Sequence, residues 1–382
     1  MRALGSIPPS CRPIRVCLAG TFDPDFHRNR NLRDLVGRTG FELVICHVRL
    51  WGRREDGVVR HGKLRVGLRA LWVYPLLAWR FLGTPQPDVV LVAYPGHFDM
   101  PLLASLARLR GVPLIFDTFL SLFDTIVADR QLVSPRSLTA RLAAWADRIA
   151  CRLADSILVD TPQNGEYFAA QTDVPRDRFR TLWIGAQEAI FQPQPEVRPV
   201  PRRVLFYGSF IPLHGVATII RAAKLLEGEE IGFRVIGRGQ ERPGVERLMA
   251  ELGSANVELL DPIALDRLPA VIAETTLCLG IFGTTDKARR VIPNKLFECL
   301  AVGRPLLTGD TPAIRTAFAV GEVATVPPGD PEALAAAIRS LVTDDARREA
   351  IGRAGHARYL RDYSQKALAG LLGRYIEQMV AP

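Results

Sequence analysis

The chain has 382 residues, of which 48% are hydrophobic and 23% charged, and it carries a net charge of +9. This composition excludes a disordered, fibrous or low-complexity protein. Because one hydrophobic core rarely grows beyond roughly 250 to 300 residues, the length predicts two domains with a ligand site between them. The excess of basic residues predicts an anionic partner, such as a nucleotide, an anionic lipid surface or nucleic acid.

The cysteines and the lengths of the apolar runs indicate the cellular compartment of the protein. Six cysteines are spread along the chain without a C-x-x-C pair, which predicts reduced thiols in a cytosolic protein. The amino end has too short an apolar run for a signal peptide. The longest uncharged apolar stretch, residues 70–79, has ten residues, whereas a membrane-spanning helix needs about 20. We therefore expect a cytoplasmic protein without a transmembrane segment.

In the first half, short apolar runs alternate with helix-length segments. This alternation is typical of βαβ units with a parallel sheet. The predicted strands lie at residues 14–19, 42–48, 88–93, 113–117, 155–159 and 179–184.

Residues 60–83 have an amphipathic pattern. Four basic residues occur among the first ten, and large apolar residues follow at near-helical spacing: Leu68, Leu71, Trp72, Leu76 and Trp79. This pattern suits a membrane interface, although such a stripe can also pack on its own domain. Pro75 is expected to kink or break the helix.

The proline-rich segment QPQPEVRPVPRR at residues 192–203 predicts a stiff linker between domains. Further strands are predicted at residues 203–208, 232–237, 256–261, 276–282 and 305–308. We therefore predict an α/β protein with two doubly wound domains. The first comprises residues 1–191 and the second residues 204–356, and residues 357–382 form a C-terminal helix that packs back on the first domain.

The stretch VIPNKLFECLAVGRPLLT has the features of a helix with an anion site at its start. Pro293 can open the helix and Gly303 can close it. Asn294 and Glu298 are four residues apart and share a face, and the free N–H groups of the first turn can hold an anion. One nucleotide would fit this pattern, with its diphosphate at the helix start and its ribose at Glu298. An ordinary exposed turn is the alternative.

The second half resembles the retaining GT-B glycosyltransferases of family four, the group-one transferases. The resemblance covers residues 203–345 through VLFYGSF, HGVATIIRAA, FRVIGRGQ and PNKLFECLAVGRPLLTGDTPAIR. It extends to the first half through PDVVLVAYPG, GVPLIFDTF and LADSILVDTPQN, in the same order. The resemblance implies a GT-B architecture, in which two Rossmann-like domains face a central cleft. The second domain would bind a nucleotide-sugar donor and the first an acceptor.

The family's E-x7-E motif implies roles for α-helical residues in the second domain. Glu298 matches the second glutamate, which would hold the nucleotide ribose. The first glutamate usually contacts hydroxyls of the donor sugar, and here Arg290 replaces it. This departure leaves open which sugar binds and whether transfer occurs. Lys295, Arg290 and the helix start at Asn294 would stabilise the leaving diphosphate.

The loop that begins at Gly208 matches the family's glycine loop near the donor phosphates. A glycine there permits close backbone approach to an anion. Many relatives carry an arginine and a lysine in this loop, whereas Ser209 or Phe210 and His214 occupy the corresponding places here.

Positive charge for the diphosphate could come instead from four basic residues, which otherwise form a solvated patch: Lys287, Arg289, Arg290 and Lys295. Gly237 and Arg238 match the family's next phosphate or base loop.

In the first domain, the resemblance places the acceptor side of the cleft at the carboxyl ends of the strands. Gly20 ends the first predicted strand, and Arg28 and Arg30 at the following helix start could bind an acceptor phosphate or the donor diphosphate. Asp117 ends a strand where relatives often carry a histidine that contacts the transferred sugar, which makes it a catalytic candidate. His97 follows another strand at the cleft side.

Three hypotheses follow. The first is a hexosyltransferase-type enzyme that uses a nucleotide-sugar and acts with retention on a glycan or lipid-linked acceptor. It would serve cell-envelope polysaccharide or glycolipid biosynthesis and would contact the inner leaflet through residues 60–83. The second, favoured by Arg290, is a catalytically weak or inactive GT-B protein that binds nucleotide or partners another transferase.

The third hypothesis is a nucleotidylyltransferase, because GTFDP followed by His27 resembles part of that signature, although its second histidine is missing. The residues Asp23-Pro-Asp25 mimic a metal-binding D-x-D motif but lack a supporting histidine cluster. We expect no metal and no cofactor beyond the nucleotide-sugar co-substrate. Dispersed basic residues and the lack of a known module argue against nucleic-acid binding.

Overall fold

The computed structural model describes residues 12–50 and 63–381. The first residues of the predicted membrane-contact segment at 60–83 therefore lie outside the described residues, and so does Cys11. The other five cysteines are buried free thiols. Among the described residues, no helix combines the length and the apolarity that crossing a bilayer requires.

The first domain is built on a six-stranded parallel sheet. Its strands are β1 (Arg15–Gly20), β2 (Glu42–His47), β3 (Val89–Val92), β4 (Leu114–Asp117), β5 (Ser156–Val159) and β6 (Phe179–Thr181). They are ordered β2-β1-β3-β4-β5-β6. β3, β4 and β5 are fully buried and mostly apolar, as expected for parallel strands covered on both faces.

Within residues 12–50 and 63–191, five α-helices follow the strands: α1 (His27–Arg38), α2 (Lys63–Gly83), α3 (Met100–Leu109), α4 (Leu138–Leu153) and α5 (Pro162–Thr172). Val90 and Val92 of β3 face the core beneath α2, α3 and α4, whereas Val89 and Leu91 face α1. The alternation of a β-strand thus gives the sheet one layer of helices on each face.

α2 continues through Pro75, so of the kink or break expected there, the break does not occur. A proline inside a helix costs about 3 kcal/mol or more. Val73, Leu77 and Phe81 of the same helix are buried in the domain core. Full burial of each such side chain contributes roughly 1.5 to 3 kcal/mol, so tertiary packing outweighs the local cost.

The second domain repeats the architecture. Its parallel strands are β7 (Arg203–Tyr207), β8 (Gly232–Ile236), β9 (Val257–Leu260), β10 (Leu277–Leu279), β11 (Leu306–Gly309) and β12 (Ala324–Val326), in the order β12-β11-β10-β7-β8-β9. The sequence analysis missed β12, which is three residues long and only partly buried. Residues 192–202, between the domains, form no helix or strand.

Nine helices belong to the second half: α6 (Val216–Leu225), α7 (Arg242–Leu252), α8 (Leu268–Ala273), α9 (Asp286–Arg290), α10 (Asn294–Val302), α11 (Pro312–Ala317), α12 (Pro331–Thr343), α13 (Asp345–Arg358) and α14 (Gln365–Val380). α14 packs on α1 of the first domain, with Leu368, Leu372 and Ile376 buried in their shared core. The Tyr375 hydroxyl donates to the Thr181 carbonyl at 3.0 Å. The chain therefore returns to the first domain at its end.

Candidate functional site

Lys295 lies in the first turn of α10, where the second sheet faces the first domain. Its side chain is buried, and its ammonium lies 3.7 Å from the centre of the Phe206 ring. Among the described residues, its Nζ finds no hydrogen-bond partner. Burial lowers its pKa to about 7. Because an unpaired buried cation is costly, this side chain is a strong candidate for binding an anion.

Two glycine loops leave room around this ammonium. At Gly208, with φ of 140°, a β-carbon would lie 2.9 Å from the Lys295 Nζ. At Gly237, with φ of 154°, a β-carbon would lie 1.9 Å from the Gly208 carbonyl oxygen. The left-handed backbone and the close approach both require glycine at these two positions. The family resemblance implies donor phosphates at the Gly208 loop and a phosphate or the base at the Gly237 loop, and the structure brings the Gly208 loop to Lys295.

Two other predicted donor-site residues near these loops, His214 and Arg238, are neutral or already paired with a carboxylate. His214 is buried, and its Nδ1 is hydrogen-bonded to the Ser209 carbonyl. Burial lowers the pKa of His214 well below its ordinary value, so the imidazole is neutral at pH 7. Arg238 is exposed and forms an ion pair with Asp261 at 2.8 Å.

Glu298 and Asn294 line a cavity of about 210 Å³ between the two domains. The Tyr207 hydroxyl donates to the Glu298 carboxylate at 2.7 Å. Burial raises the pKa of Glu298 to about 7. α10 thus places a buried lysine without a hydrogen-bond partner among the described residues and a hydrogen-bonded carboxylate one turn apart.

The opposite wall of this cavity comes mainly from the first domain: His27, Arg30, Asn31, Gly185, Ala186, Gln187 and Phe191. His27 packs edge-on against Phe119, with ring centres 5.7 Å apart. Sequence analysis assigned Arg30 to this side of the cleft but gave no role in the transferase site to His27 or Asn31. Their spacing could have identified them, because Arg30 and Asn31 lie three and four residues after His27 and therefore share its helix face.

A second group of charges crosses the domain boundary. We call Lys287 and Arg290 of the second domain with Asp124 and Asp129 of the first the interdomain ion cluster. Lys287 Nζ lies 3.8 Å from Asp124 and 3.7 Å from Asp129, and it donates to Thr125 Oγ1 at 2.9 Å. Burial lowers the pKa of Lys287 and raises that of Asp129. These buried charges therefore pair across the domain boundary.

Arg290 extends the cluster into the first domain. Its guanidinium pairs with Asp124 at 2.8 Å, donates to Asn164 Oδ1 at 3.0 Å and covers the Tyr167 ring at 3.8 Å. Arg290 and Arg289 line a separate cavity of about 570 Å³ between the domains. Lys287, predicted to bind the donor, and Arg290, the catalytic candidate, therefore lie side by side, and both contact the first domain.

Comparison with known proteins places this arrangement in a family. A glycosyl transferase 4-like domain model matches residues 23–185, and a glycosyl transferase-like model matches residues 216–372. The two models cover both domains on either side of the cavity. The chain belongs to the group-one glycosyltransferases of family four.

Curated relatives in the family are distant. Alpha-D-kanosaminyltransferase of Streptomyces kanamyceticus is 25% identical over 262 residues, which cover 64% of this chain and 65% of that protein. Phosphatidyl-myo-inositol mannosyltransferase of Mycobacterium leprae is 26% identical over 344 residues, covering 78% and 87%. The solved sucrose-phosphate synthase of Thermosynechococcus elongatus aligns with a TM-score of 0.72 and 18% identity, covering 97% of this chain and 99% of that one. The GT-B architecture is confirmed.

In this family member, two predicted first-domain residues form one buried ion pair. Arg28 Nη2 lies 2.8 Å from Asp117 Oδ1, and both side chains are buried. Arg28 also donates to the Leu182 carbonyl at 2.9 Å. The pair ties the start of α1 to the carboxyl ends of β4 and β6. Direct contact of either residue with a ligand would require this pair to open.

Gly20 and His97 are also enclosed by first-domain contacts. A β-carbon at Gly20 would lie 2.8 Å from Asp99 Oδ2, which accepts from the Thr21 N–H at 2.6 Å. His97 is buried, with its Nε2 3.2 Å from Asp147 Oδ1. Gly20 and His97 are therefore not among the residues that line the cavity, whereas Arg30 is.

Proposed function

We propose that this family member transfers a hexosyl group from a nucleotide-sugar to a hydroxyl of a glycan or lipid-linked acceptor, with retention at the anomeric carbon. The buried Lys295 ammonium, without a partner among the described residues, carries the proposal. A donor diphosphate at the start of α10 would supply its missing anionic partner.

The cavity suggests how the donor lies. The ribose hydroxyls bind the Glu298 carboxylate, one turn from Lys295, and the diphosphate lies against the Gly208 loop. The sugar then extends into the cavity between Asn294 and the wall formed by His27 and Arg30. In this arrangement the second domain binds the donor, and the acceptor reaches the sugar from the side of the first domain.

The reaction breaks the bond between the anomeric carbon and the diphosphate oxygen. The electron pair goes to that oxygen, where Lys295 and the first-turn N–H groups of α10 stabilise the developing charge. The acceptor hydroxyl bonds to the same face of the anomeric carbon and gives its proton to the leaving phosphate. Removing one such preorganised donor typically costs about 10² to 10³ in rate.

The acceptor class is proposed from the relatives. The name of the M. leprae protein specifies phosphatidyl-myo-inositol, a membrane lipid. We place the present protein in envelope polysaccharide or glycolipid biosynthesis, at the cytoplasmic face of the membrane with residues 60–83 as a contact.

The test is incubation of the purified protein with UDP-, GDP-, ADP- and dTDP-sugars, alone and with polyprenyl phosphate, phosphatidylinositol or soluble glycan acceptors. Transfer or slow donor hydrolysis by the unchanged protein, lost in Lys295→Met, is expected. Nucleotide binding without either reaction would instead support the inactive GT-B alternative, which the replacement of the first motif glutamate by Arg290 favours.

The reaction is also proposed to need no metal ion, since Lys295 and the α10 start supply the positive charge. Within the described part of the chain, no group of three His, Cys, Asp or Glu residues could hold one. Excess EDTA should therefore leave the transfer rate unchanged. A loss of activity that Mg²⁺ or Mn²⁺ restores would contradict this.

A further inference from the structure

The helices α2, α3 and α4 lie side by side on one face of the first sheet. Their outer surface is apolar. On α2, residues that recur every three or four positions point outward: Leu68, Leu71, Trp72, Leu76, Trp79 and Leu82. Trp72 is 82% exposed and Trp79 73% exposed. Val73, Leu77 and Phe81 already form the core side of α2, so the exposed side chains do not contribute to the core of the domain.

α4 carries a second stripe of the same kind. Leu138, Leu142 and Trp145 are exposed, and their spacing of four and three residues places them on one helix face. Leu109, at the end of α3, is 76% exposed as well. Monomeric soluble proteins rarely expose several large apolar side chains on adjacent helices without a partner.

The charges of the same three helices identify that partner. Among the side chains that the structure describes, α2 exposes Arg69 and Arg80, α3 exposes Arg108, and α4 exposes three further arginines. The only acidic residue of the three helices is Asp147, which is buried. Arg141 and Arg148 are exposed between and beside the apolar side chains of α4. An exposed surface that is apolar and basic and lacks carboxylates is complementary to a bilayer with anionic headgroups.

The surface also reaches the cleft. Because α2 and α4 each follow a strand of a parallel sheet, both helices begin at the carboxyl edge of the sheet, where the cleft lies. Asp124, in the loop between β4 and α4, lines the larger interdomain cavity. A bilayer on this surface would therefore lie beside the mouth of the cleft.

We propose that the exposed surface of α2, α3 and α4 docks on an anionic lipid bilayer, with the α4 stripe as a second anchor beside α2. Two anchors on neighbouring helices would fix the orientation of the first domain, whereas α2 alone would permit rotation about its axis. This inference depends on the proposed function in one respect, namely that the acceptor is lipid-linked. It extends the contact from residues 60–83 to a helix that sequence analysis did not assign.

The test is flotation of the full chain with phosphatidylcholine vesicles and with vesicles containing about 30% phosphatidylglycerol. Three double variants are compared: Leu142→Ser with Trp145→Ser on α4, Trp72→Ser with Trp79→Ser on α2, and Leu225→Ser with Val320→Ser. The last pair is the control, because both residues are exposed apolar side chains of the second domain. Circular dichroism and thermal unfolding check that each variant folds.

The unchanged protein and the control should bind the anionic vesicles, and salt should weaken this binding. The α4 and the α2 variants should each lose about tenfold in partition coefficient, as expected for two apolar side chains withdrawn from a membrane interface. Unchanged binding by the folded α4 variant overturns the proposal. A dimer in solution that the α4 variant abolishes, without vesicle binding, also overturns it and assigns the surface to a second copy.

Vesicle binding is measured without nucleotide, and donor hydrolysis is measured without vesicles. Failure of the docking proposal is thereby distinguished from failure of the proposed transferase activity.

Discussion

Two buried lysines on neighbouring helices have opposite surroundings. Lys287 of α9 lies among Asp124, Asp129 and Thr125. Lys295 of α10 has an aromatic ring below it and no hydrogen-bond partner among the described residues. Burial lowers the pKa of both. Lys287 is therefore paired across the domain boundary, whereas Lys295 keeps the unmet hydrogen-bonding capacity on which the proposed donor site rests.

The two sites should therefore respond to mutation in opposite ways. Removing a partner from the interdomain ion cluster leaves an uncompensated buried charge and destabilises the fold. Removing the Lys295 charge should stabilise the fold, because the free protein no longer has to bury an unpaired ammonium. Strained or unsatisfied groups of this kind concentrate at binding sites.

The largest expected effect is that of Lys295→Met, which keeps the length of the side chain and removes its charge. Transfer should fall by about 10²-fold or more. The free energy of unfolding should rise by roughly 2 to 4 kcal/mol at pH 7, because a buried ammonium is replaced by an apolar group. Steady-state kinetics and urea unfolding measure the two effects. The exposed Lys366→Met is the control, and a destabilised Lys295→Met would contradict the account.

Asp124→Asn should produce the opposite result. This substitution leaves both Lys287 and Arg290 without their shared carboxylate, and it should destabilise the protein by about 3 kcal/mol. Arg289→Gln, at a neighbouring exposed position, should change stability by less than about 0.5 kcal/mol. Urea unfolding monitored separately in each domain provides the measurement. Equal stability of Asp124→Asn and the unchanged protein would show that the cluster does not hold the domains.

The pH dependence of stability separates the lysine effects further. Because the folded-state pKa of Lys295 is about 7, below its ordinary value, the unfolded chain binds more protons above pH 7 and this lysine makes stability rise with pH. The stability advantage of Lys295→Met over the unchanged protein should shrink by roughly 2 kcal/mol between pH 7 and pH 9. An advantage that stays constant across this window would exclude the proposed pKa.

A smaller effect is expected for Glu298→Gln. The amide keeps the shape but is a weaker acceptor for ribose hydroxyls, so the affinity for the nucleoside diphosphate should fall about tenfold. Glu332→Gln, in the first turn of α12, is the matched control. Calorimetric titration should show the loss for Glu298→Gln alone. If both variants bind as the unchanged protein does, the ribose lies elsewhere.

Local sequence patterns predicted much of the fold and part of the site. The alternation of apolar runs predicted eleven of the twelve strands, and the PNKLFE helix, with its proline before and glycine after, located Lys295 and Glu298. The continuity of α2 through Pro75 could not be predicted, because the cost of a proline is local, whereas the packing that offsets it is tertiary.

The charge pairings could not be predicted, because they join distant positions. Arg28 and Asp117 are 89 residues apart, and Arg290 and Asp124 are 166 apart. A single sequence shows each of these residues as a free charge near a strand end or helix. Only the fold reveals which charges are already paired, and therefore that Lys295 differs from the others.

Calorimetric titration of UDP, GDP, ADP and dTDP at pH 8 would measure whether Lys295 binds the donor diphosphate. Titrations in two buffers of different ionisation enthalpy measure proton uptake. At this pH, Lys295 is largely deprotonated in the free protein, and an anion beside it should raise its pKa. We expect one diphosphate to bind with uptake of nearly one proton, and Lys295→Met to abolish the uptake and weaken binding. Equal affinity in the variant, without proton uptake in either protein, would contradict the account.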